Sequence, residues 1–209
     1  MASCTRPAAL TTVSKVACPV HFYQMCALLL QRAQPTPSFA TEAVMKTLAA
    51  WTPLLTAPDG TKIVKTPEFS GFQIPGSEPQ YAEQNSNNSI DGLGYFTGFN
   101  SVQAKGIFTG LPSDIRTQLA TFQDESAAGL DPGIGAYILL NDGRIVYQKD
   151  PTTGAIGGIS FTNFYVASLK LDGYKALNTN EFGLSLPGEW DKNIQVMTPS
   201  FNARTALSL

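Results

Sequence analysis

Side chains able to carry chemistry are few in this chain of 209 residues. His21 is the only histidine, so a metal site with two histidines is excluded and a Ser-His-Asp triad would have to be built on it. It lies among Phe, Tyr and Met without a motif partner, which favours a structural histidine. Glu181, Glu189 and Asp191 could in principle pair carboxylates for glycoside chemistry, but they flank turns, where carboxylates are usually solvated.

Two short motifs give no stronger signal. The stretch 92–98 (GLGYFTG) resembles a dinucleotide fingerprint, but its third glycine is one place late and no helix follows, so a turn is favoured. Asn87-Asn88-Ser89 fits a glycosylation acceptor, which matters only in a secreted eukaryotic protein. Neither metal-ligand spacing nor a phosphate-binding loop is present. We therefore predict no enzyme activity, no catalytic residue, no cofactor and no metal site.

Composition narrows the class of protein. Charged residues make up 14% of the chain, against roughly 25% in ordinary soluble domains. Such a surface suits a protein covered on several sides by neighbours, or a stable extracellular β protein. Cys4, Cys18 and Cys26 all lie near the N-terminus, which predicts reduced thiols rather than a disulfide framework. No apolar run reaches the length needed to span a bilayer, so no membrane segment is predicted.

The clearest structural element is a helix predicted over residues 112–126. Ile115, Leu119 and Phe122 recur at i, i+4 and i+7, which puts them on one face. Pro112 suits the first helical position because its missing N–H costs nothing there. A single apolar stripe on an otherwise polar helix implies that the helix packs across a β layer.

Strands are predicted on both sides of this helix. Residues 105–109 form a short strand before it. After it, Asp142-Gly143 lies between two β-rich runs, 136–140 and 144–147, and predicts a hairpin because both turn positions need positive φ. The alternating run 159–171, with Ile159, Phe161, Tyr165, Ala167, Leu169 and Leu171 on one face, predicts a strand about twice the usual length. Further strands are predicted at 182–186 and 194–197.

The remaining organisation follows from period and composition. We expect one domain over 1–209, with an N-terminal arm (1–19), a helical segment (20–51) and a β core (104–199). The helical segment rests on apolar spacing within Val20–Ala33 and Phe39–Ala50, and it makes Trp51 a core residue. Ala57-Pro58-Asp59-Gly60 predicts the turn of a hairpin over 52–65.

Residues 67–103 form a long stretch with a different composition. It is rich in Pro, Gly and Asn, which predicts a long loop, and such loops are usually functional or disordered. Its aromatic residues argue against plain disorder. We therefore expect the loop to become ordered against a neighbouring subunit, most simply another copy of the chain, through Phe69, Phe72, Tyr81, Tyr95, Phe96 and Phe99.

Charge is unevenly distributed although the net charge is only −2. Residues 1–65 hold six basic and two acidic side chains. Residues 66–100 hold no Lys or Arg and four acidic side chains, namely Glu68, Glu78, Glu83 and Asp91. Because phosphate binding requires clustered positive charge, this stretch is not predicted to bind a nucleic acid backbone.

The order of predicted elements resembles the tail tube protein of long-tailed bacteriophages. The features that carry the resemblance are the strand 105–109, the helix 112–125, the hairpin 136–147, the alternating strand from Ile159, the long preceding loop, and the ending 187–190 through 199–202. Those proteins are α+β, mainly β: a small β barrel or sandwich with one packed helix, here preceded by a helical N-terminal segment and a long inter-strand loop. The predicted helical segment departs from the family, whose domain opens with a strand.

The resemblance implies a virion structural protein, assembled in the host cytoplasm, that forms stacked hexameric rings as a conduit for DNA ejection. Its partners would be further copies of itself and other tail proteins, and DNA would pass without specific binding. Because channels in that family tend to be negative, it implies that Glu68, Glu78, Glu83 or Asp91 faces the lumen or a ring contact. A neck, tail-terminator, baseplate or head-decoration protein, and a secreted carbohydrate-binding β domain, remain alternatives.

Overall fold

The computed structural model describes residues 24–32, 39–58, 60–84, 94–127, 133–171, 173 and 176–207. This part of the chain is mainly β, with helices in a minority, which confirms the predicted class. Its strands are β1 (Met25–Arg32), β2 (Val64–Lys65), β3 (Ser70–Gln73), β4 (Pro79–Ala82), β5 (Tyr95–Phe99), β6 (Val102–Thr109), β7 (Ile134–Leu140), β8 (Ile145–Lys149), β9 (Ile156–Gly157), β10 (Ile159–Val166), β11 (Thr179–Leu186) and β12 (Ile194–Met197). Its helices are α1 (Glu42–Met45), α2 (Leu48–Thr56), α3 (Ser113–Ala127) and α4 (Ala203–Ala206).

Six strands follow one another around a barrel in the order β1, β7, β10, β11, β6, β3, and each pair is antiparallel. The segment before β3 closes the ring. Its Thr66 and Phe69 amides donate to the carbonyls of Leu28 and Cys26 in β1, at 2.8 and 2.9 Å. β8, β12 and β9 extend the sheet beyond the barrel from the second half of β7. Closure pairs strand edges that would otherwise be open to other chains.

The barrel interior is packed with apolar side chains from every wall. β6 alternates strictly between buried and exposed residues, as a strand with one face in a core must. The rings of Phe108 and Phe182 stack with centroids 4.4 Å apart, and Phe69 lies 5.0 Å from Phe182. α3 packs on β10, where Phe122 meets Phe164 edge to face. Leu119 is buried against the same cluster.

A second core covers the outer face of β1, β7 and β8. Trp51 of α2 is fully buried there, as the sequence predicts, with its ring 4.7 Å from Phe39 and 5.4 Å from Tyr137. Its indole N–H donates to the Met45 carbonyl at 2.7 Å, so the polar edge of the ring is satisfied. α1, α2 and α4 therefore fix the barrel wall from outside.

The predicted helix over Val20–Ala33 is wrong where it is described, because Met25–Arg32 is strand β1. Six consecutive residues of β1 are buried. One face of the strand packs in the barrel and the other under α1 and α2, so both faces are apolar and the period-2 signal is lost. Residues 20–23 lie outside the described part of the chain.

The helix predicted over Phe39–Ala50 is divided into α1 and α2, and α2 continues to Thr56. The hairpin predicted over 52–65 is therefore wrong for its first half. In its second half the strand is reduced to β2, which pairs with β1. The cause is tertiary: Leu55 belongs to the second core, and helical geometry places it there beside Trp51.

The strand predicted over 159–171 ends at Val166, and its alternation reverses within it. Asn163 has a positive φ of 53°, and the register with β11 shifts between Thr162 and Tyr165. After this bulge Phe164 and Val166 point into the core, whereas Tyr165 takes the outer side. A bulge adds one residue to a strand and so exchanges its two faces.

The central unit is confirmed. β6 contains the predicted strand 105–109, α3 matches the predicted helix 112–126 within one residue at each end, and β7 and β8 form the hairpin. Positive φ is expected at both turn residues, but only Gly143 has it, at +84°, and Asp142 does not. The Leu140 amide donates to the Arg144 carbonyl across a three-residue loop, in which only the glycine has to be left-handed.

Candidate subunit interface

Residues 67–103, predicted as a loop, contain β3, β4, β5 and the start of β6. β4 and β5 pair only with each other and form a separate two-stranded sheet. An isolated hairpin of this kind is marginally stable in water without something to cover it. At its base the Asn100 amide donates to the Glu78 carbonyl at 2.9 Å, which continues the pairing of its two strands, and Gly188, which follows β11, lies against Phe99. We call Pro79–Ala82 with Tyr95–Phe99 the aromatic hairpin.

Four of the six aromatic residues predicted at an interface lie on this hairpin and are exposed. The exposed fractions are 46% for Tyr81, 51% for Tyr95, 56% for Phe96 and 38% for Phe99. Phe96 packs edge to face on Tyr81 and Phe99, with centroids 6.1 and 5.2 Å away. Tyr81, Phe96 and Phe99 therefore form a connected apolar patch, and such patches mark protein interaction sites.

The other two predicted residues belong to the chain's own core. Phe69 is buried and Phe72 is half-buried, stacked on Phe182 at 5.6 Å. Gly106 makes room for this stack, since a Cβ there would lie 2.6 Å from the Phe182 ring. In the sequence all six aromatic residues lie in one stretch of similar composition. Only the pairing of β3 with β6 distinguishes the two core residues from the four exposed ones.

The predicted acidic residues are dispersed. Glu78 and Glu83 are exposed at the base and far end of the aromatic hairpin. Glu68 lies on the segment before β3, where both carboxylate oxygens accept from Arg204 at 2.8 and 2.9 Å. The Glu68 interaction raises the pKa of Arg204. Asp91 lies outside the described residues, and the lumen assignment stays a prediction.

Arg204 is a residue that sequence reasoning missed. Besides Glu68, its guanidinium donates to Asn141 Oδ1 at 2.9 Å, and its carbonyl accepts from Lys65 Nζ at 2.6 Å. No element is predicted from the sequence for the residues that form its helix α4. Because its partners are between 63 and 139 positions away in sequence, no local pattern could have indicated them.

The outer face of β6, β11 and β10 carries polar side chains together with Ile107, which is 40% exposed. Tyr165 donates to Glu181 Oε1 at 2.9 Å, and Lys105 Nζ lies 3.4 Å from the same oxygen. Hydrogen bonds from Tyr165 and Lys105 lower the pKa of Glu181. Glu181 thus forms part of a surface ion pair on the barrel wall, whereas Glu189 and Asp191 lie in the turn before β12.

Only some of the residues considered for chemistry lie in the described ranges. Cys26 is buried and unbridged in β1, and burial raises the pKa of its thiol. His21, Cys4, Cys18 and the 87–89 motif lie outside the described residues. Within the described ranges, no group of three or more His, Cys, Asp or Glu side chains is placed to hold a metal ion. No helix in those ranges is long and apolar enough to cross a membrane.

Comparison with known proteins does not identify a family for this chain. No protein-family model matches the chain, and no curated protein matches it. Among solved structures, the chain is similar to a subunit in the tail of an empty GTA particle with C6 symmetry. The two share 14% sequence identity and a TM-score of 0.34, over 66% of this chain and 87% of that one. A likeness at this level carries no conclusion about what this chain does.

Proposed function

We propose that the protein is a structural subunit that assembles with copies of itself into stacked rings, as the tube of a phage-type tail. The observation that carries the proposal is the aromatic hairpin, whose two strands pair only with each other among the described strands and which exposes four large aromatic side chains. A second copy is the simplest partner that covers this patch in every molecule.

Two further features support the proposal. The barrel with one packed helix has the architecture that the sequence resemblance implies. The low charge content leaves much neutral polar surface, which suits a subunit with neighbours on several sides. In such an assembly the contacts are heterologous and repeat around an axis until the ring closes.

The proposal predicts that removing the exposed aromatics abolishes assembly while the fold survives. The double variant Tyr81→Ser/Phe96→Ser removes two contacting rings from the hairpin surface and none from either core. Sedimentation velocity should show large assemblies for the unmodified protein and monomers for the variant. The thermal unfolding midpoint of the barrel should change little, because the hairpin is a separate sheet.

Leu171→Ser is the matched control. Leu171 is 68% exposed and lies outside the hairpin, so this variant should assemble normally. Equal assembly of the double variant and the unmodified protein would contradict a role for the hairpin. If the unmodified protein stays monomeric at every concentration, the proposed function itself is contradicted.

A further inference from the structure

The described part of the chain has a groove of about 740 Å³ between α3 and the segment 62–68. Polar and apolar residues line it, and the large apolar side chains come from four parts of the chain: Leu55, Ile63, Ile115, Leu119, Phe122 and Leu207. The volume falls in the range of roughly 300–1,000 Å³ that binding pockets occupy. Gln118 lies on the helix wall and is exposed.

Basic side chains outnumber acidic ones in the lining of the groove. Lys62 and Lys65 line it from one side, and Arg204 lines it from α4. Glu68 is the acidic residue of the lining, and it is occupied by the Arg204 guanidinium at 2.8 Å. The rim therefore carries more positive than negative charge, around large apolar side chains. It fits an occupant that is acidic and apolar together.

The aromatic hairpin has that chemistry. Residues 69–104 contain no Lys or Arg, while Glu78 and Glu83 flank β4. The aromatic patch supplies large apolar side chains, which dominate the energetics of interface cores. Opposite charges around an apolar contact set its register and exclude wrong partners.

One chain cannot bring its own hairpin to its own groove. β6 begins at Val102, two residues after the hairpin base, and ends at Thr109, three residues before the α3 segment. β3 runs antiparallel beside it, so the segment 62–68 lies toward the Thr109 end. Eight residues of strand separate the two features by roughly 25 Å. They lie at opposite ends of the barrel.

We propose that the aromatic hairpin of one subunit inserts into the groove between α3 and residues 62–68 of a second copy. Because the two surfaces lie at opposite ends of the barrel, a pair of bound copies still has one unoccupied hairpin and one unoccupied groove. The contact is therefore heterologous and propagates head to tail along the barrel. This inference rests on the proposed function and specifies which surfaces meet.

Filling the groove tests the contact. Gln118→Trp places an indole in the groove from an exposed helix position, and Gln123→Trp makes the same change on the same helix outside the groove. We expect Gln118→Trp to reduce the assembled fraction at least tenfold in sedimentation velocity, and Gln123→Trp to leave it unchanged. Both should keep the circular dichroism spectrum of the unmodified protein. Normal assembly of folded Gln118→Trp would overturn the inference.

Photo-crosslinking locates the contact independently. Phe96 is replaced by p-benzoylphenylalanine in an isotopically mixed preparation, so that crosslinks between chains are recognised by mass spectrometry. We expect interchain crosslinks to residues 62–68 or 115–122, and none to these residues when the same probe replaces Leu177, which is 72% exposed elsewhere. Assemblies whose Phe96 crosslinks lie only elsewhere would overturn the inference and leave the proposed function intact. Absence of any assembly would contradict both.

Discussion

The ionisation of Tyr147, a buried side chain of the second core, makes the stability of the fold depend on pH. It is buried in β8, and its hydroxyl donates to Gln195 Oε1 of β12 at 3.0 Å. Burial, with a contribution from the Glu42 carboxylate, raises the pKa of Tyr147 to about 12. The unfolded chain would ionise this phenol near its ordinary value of about 10.

The sign of the pH effect follows. A raised pKa in the folded protein gives stability that is complete below about pH 10 and is lost as the pH rises toward about 12. Tyr147→Phe should therefore lose less free energy of unfolding than the unmodified protein across this range, as measured by urea unfolding. At neutral pH it should be less stable by about 1 kcal/mol, since one hydrogen bond is removed. Parallel pH profiles would contradict this account.

At the scale of elements, the junction of β10 with β7 depends on close backbone approach. A Cβ at Gly158 would lie 2.9 Å from the Ala136 amide nitrogen and 3.0 Å from the Gly135 carbonyl carbon. Backbone atoms cannot move aside as the end of a side chain can. At the neighbouring Gly157 a Cβ meets nothing within 4 Å.

Gly158→Ala should accordingly destabilise the barrel by about 1–3 kcal/mol, the usual cost of overpacking a core. Gly157→Ala, the matched control, should stay within about 0.5 kcal/mol of the unmodified protein. Denaturant unfolding of the two variants measures the difference. Equal stabilities would show that the junction relaxes, contrary to the geometry described.

Elements with local signals could be predicted from the sequence, and those defined by tertiary contacts could not. α3 has its apolar stripe and Pro112, and the β7–β8 turn has Asp-Gly, so each indicates its own structure. β1 is apolar on both faces because it separates two cores, and its residues therefore fit a helix equally well. The bulge at Asn163 reverses a pattern that reads as one continuous strand.

For the candidate interface, too, one part could be predicted from the sequence and another part could not. Its aromatic composition and lack of basic residues are visible in the sequence of residues 67–103. The division between core and surface aromatics is not, because it depends on which strand pairs with β6. The groove joins residues from α2, α3, α4 and the segment 62–68, which only the fold brings together.

At the scale of the whole molecule, closure of the barrel pairs edges within the chain, while its two ends carry surfaces of different character. One end has an acidic, aromatic hairpin, and the other a groove with large apolar side chains and a basic rim. Such an asymmetric subunit favours repeated contacts between unlike surfaces over a closed two-fold dimer. Because the contact joins opposite charges at its rim, its affinity should also fall as ionic strength rises.

The most direct test of the central claim is negative-stain electron microscopy of the purified protein over a range of concentrations, with light scattering on the same samples. The account predicts hollow rings or tubes, with masses that are multiples of the 22.4 kDa subunit. A uniform 22.4 kDa monomer at the highest concentration would contradict it.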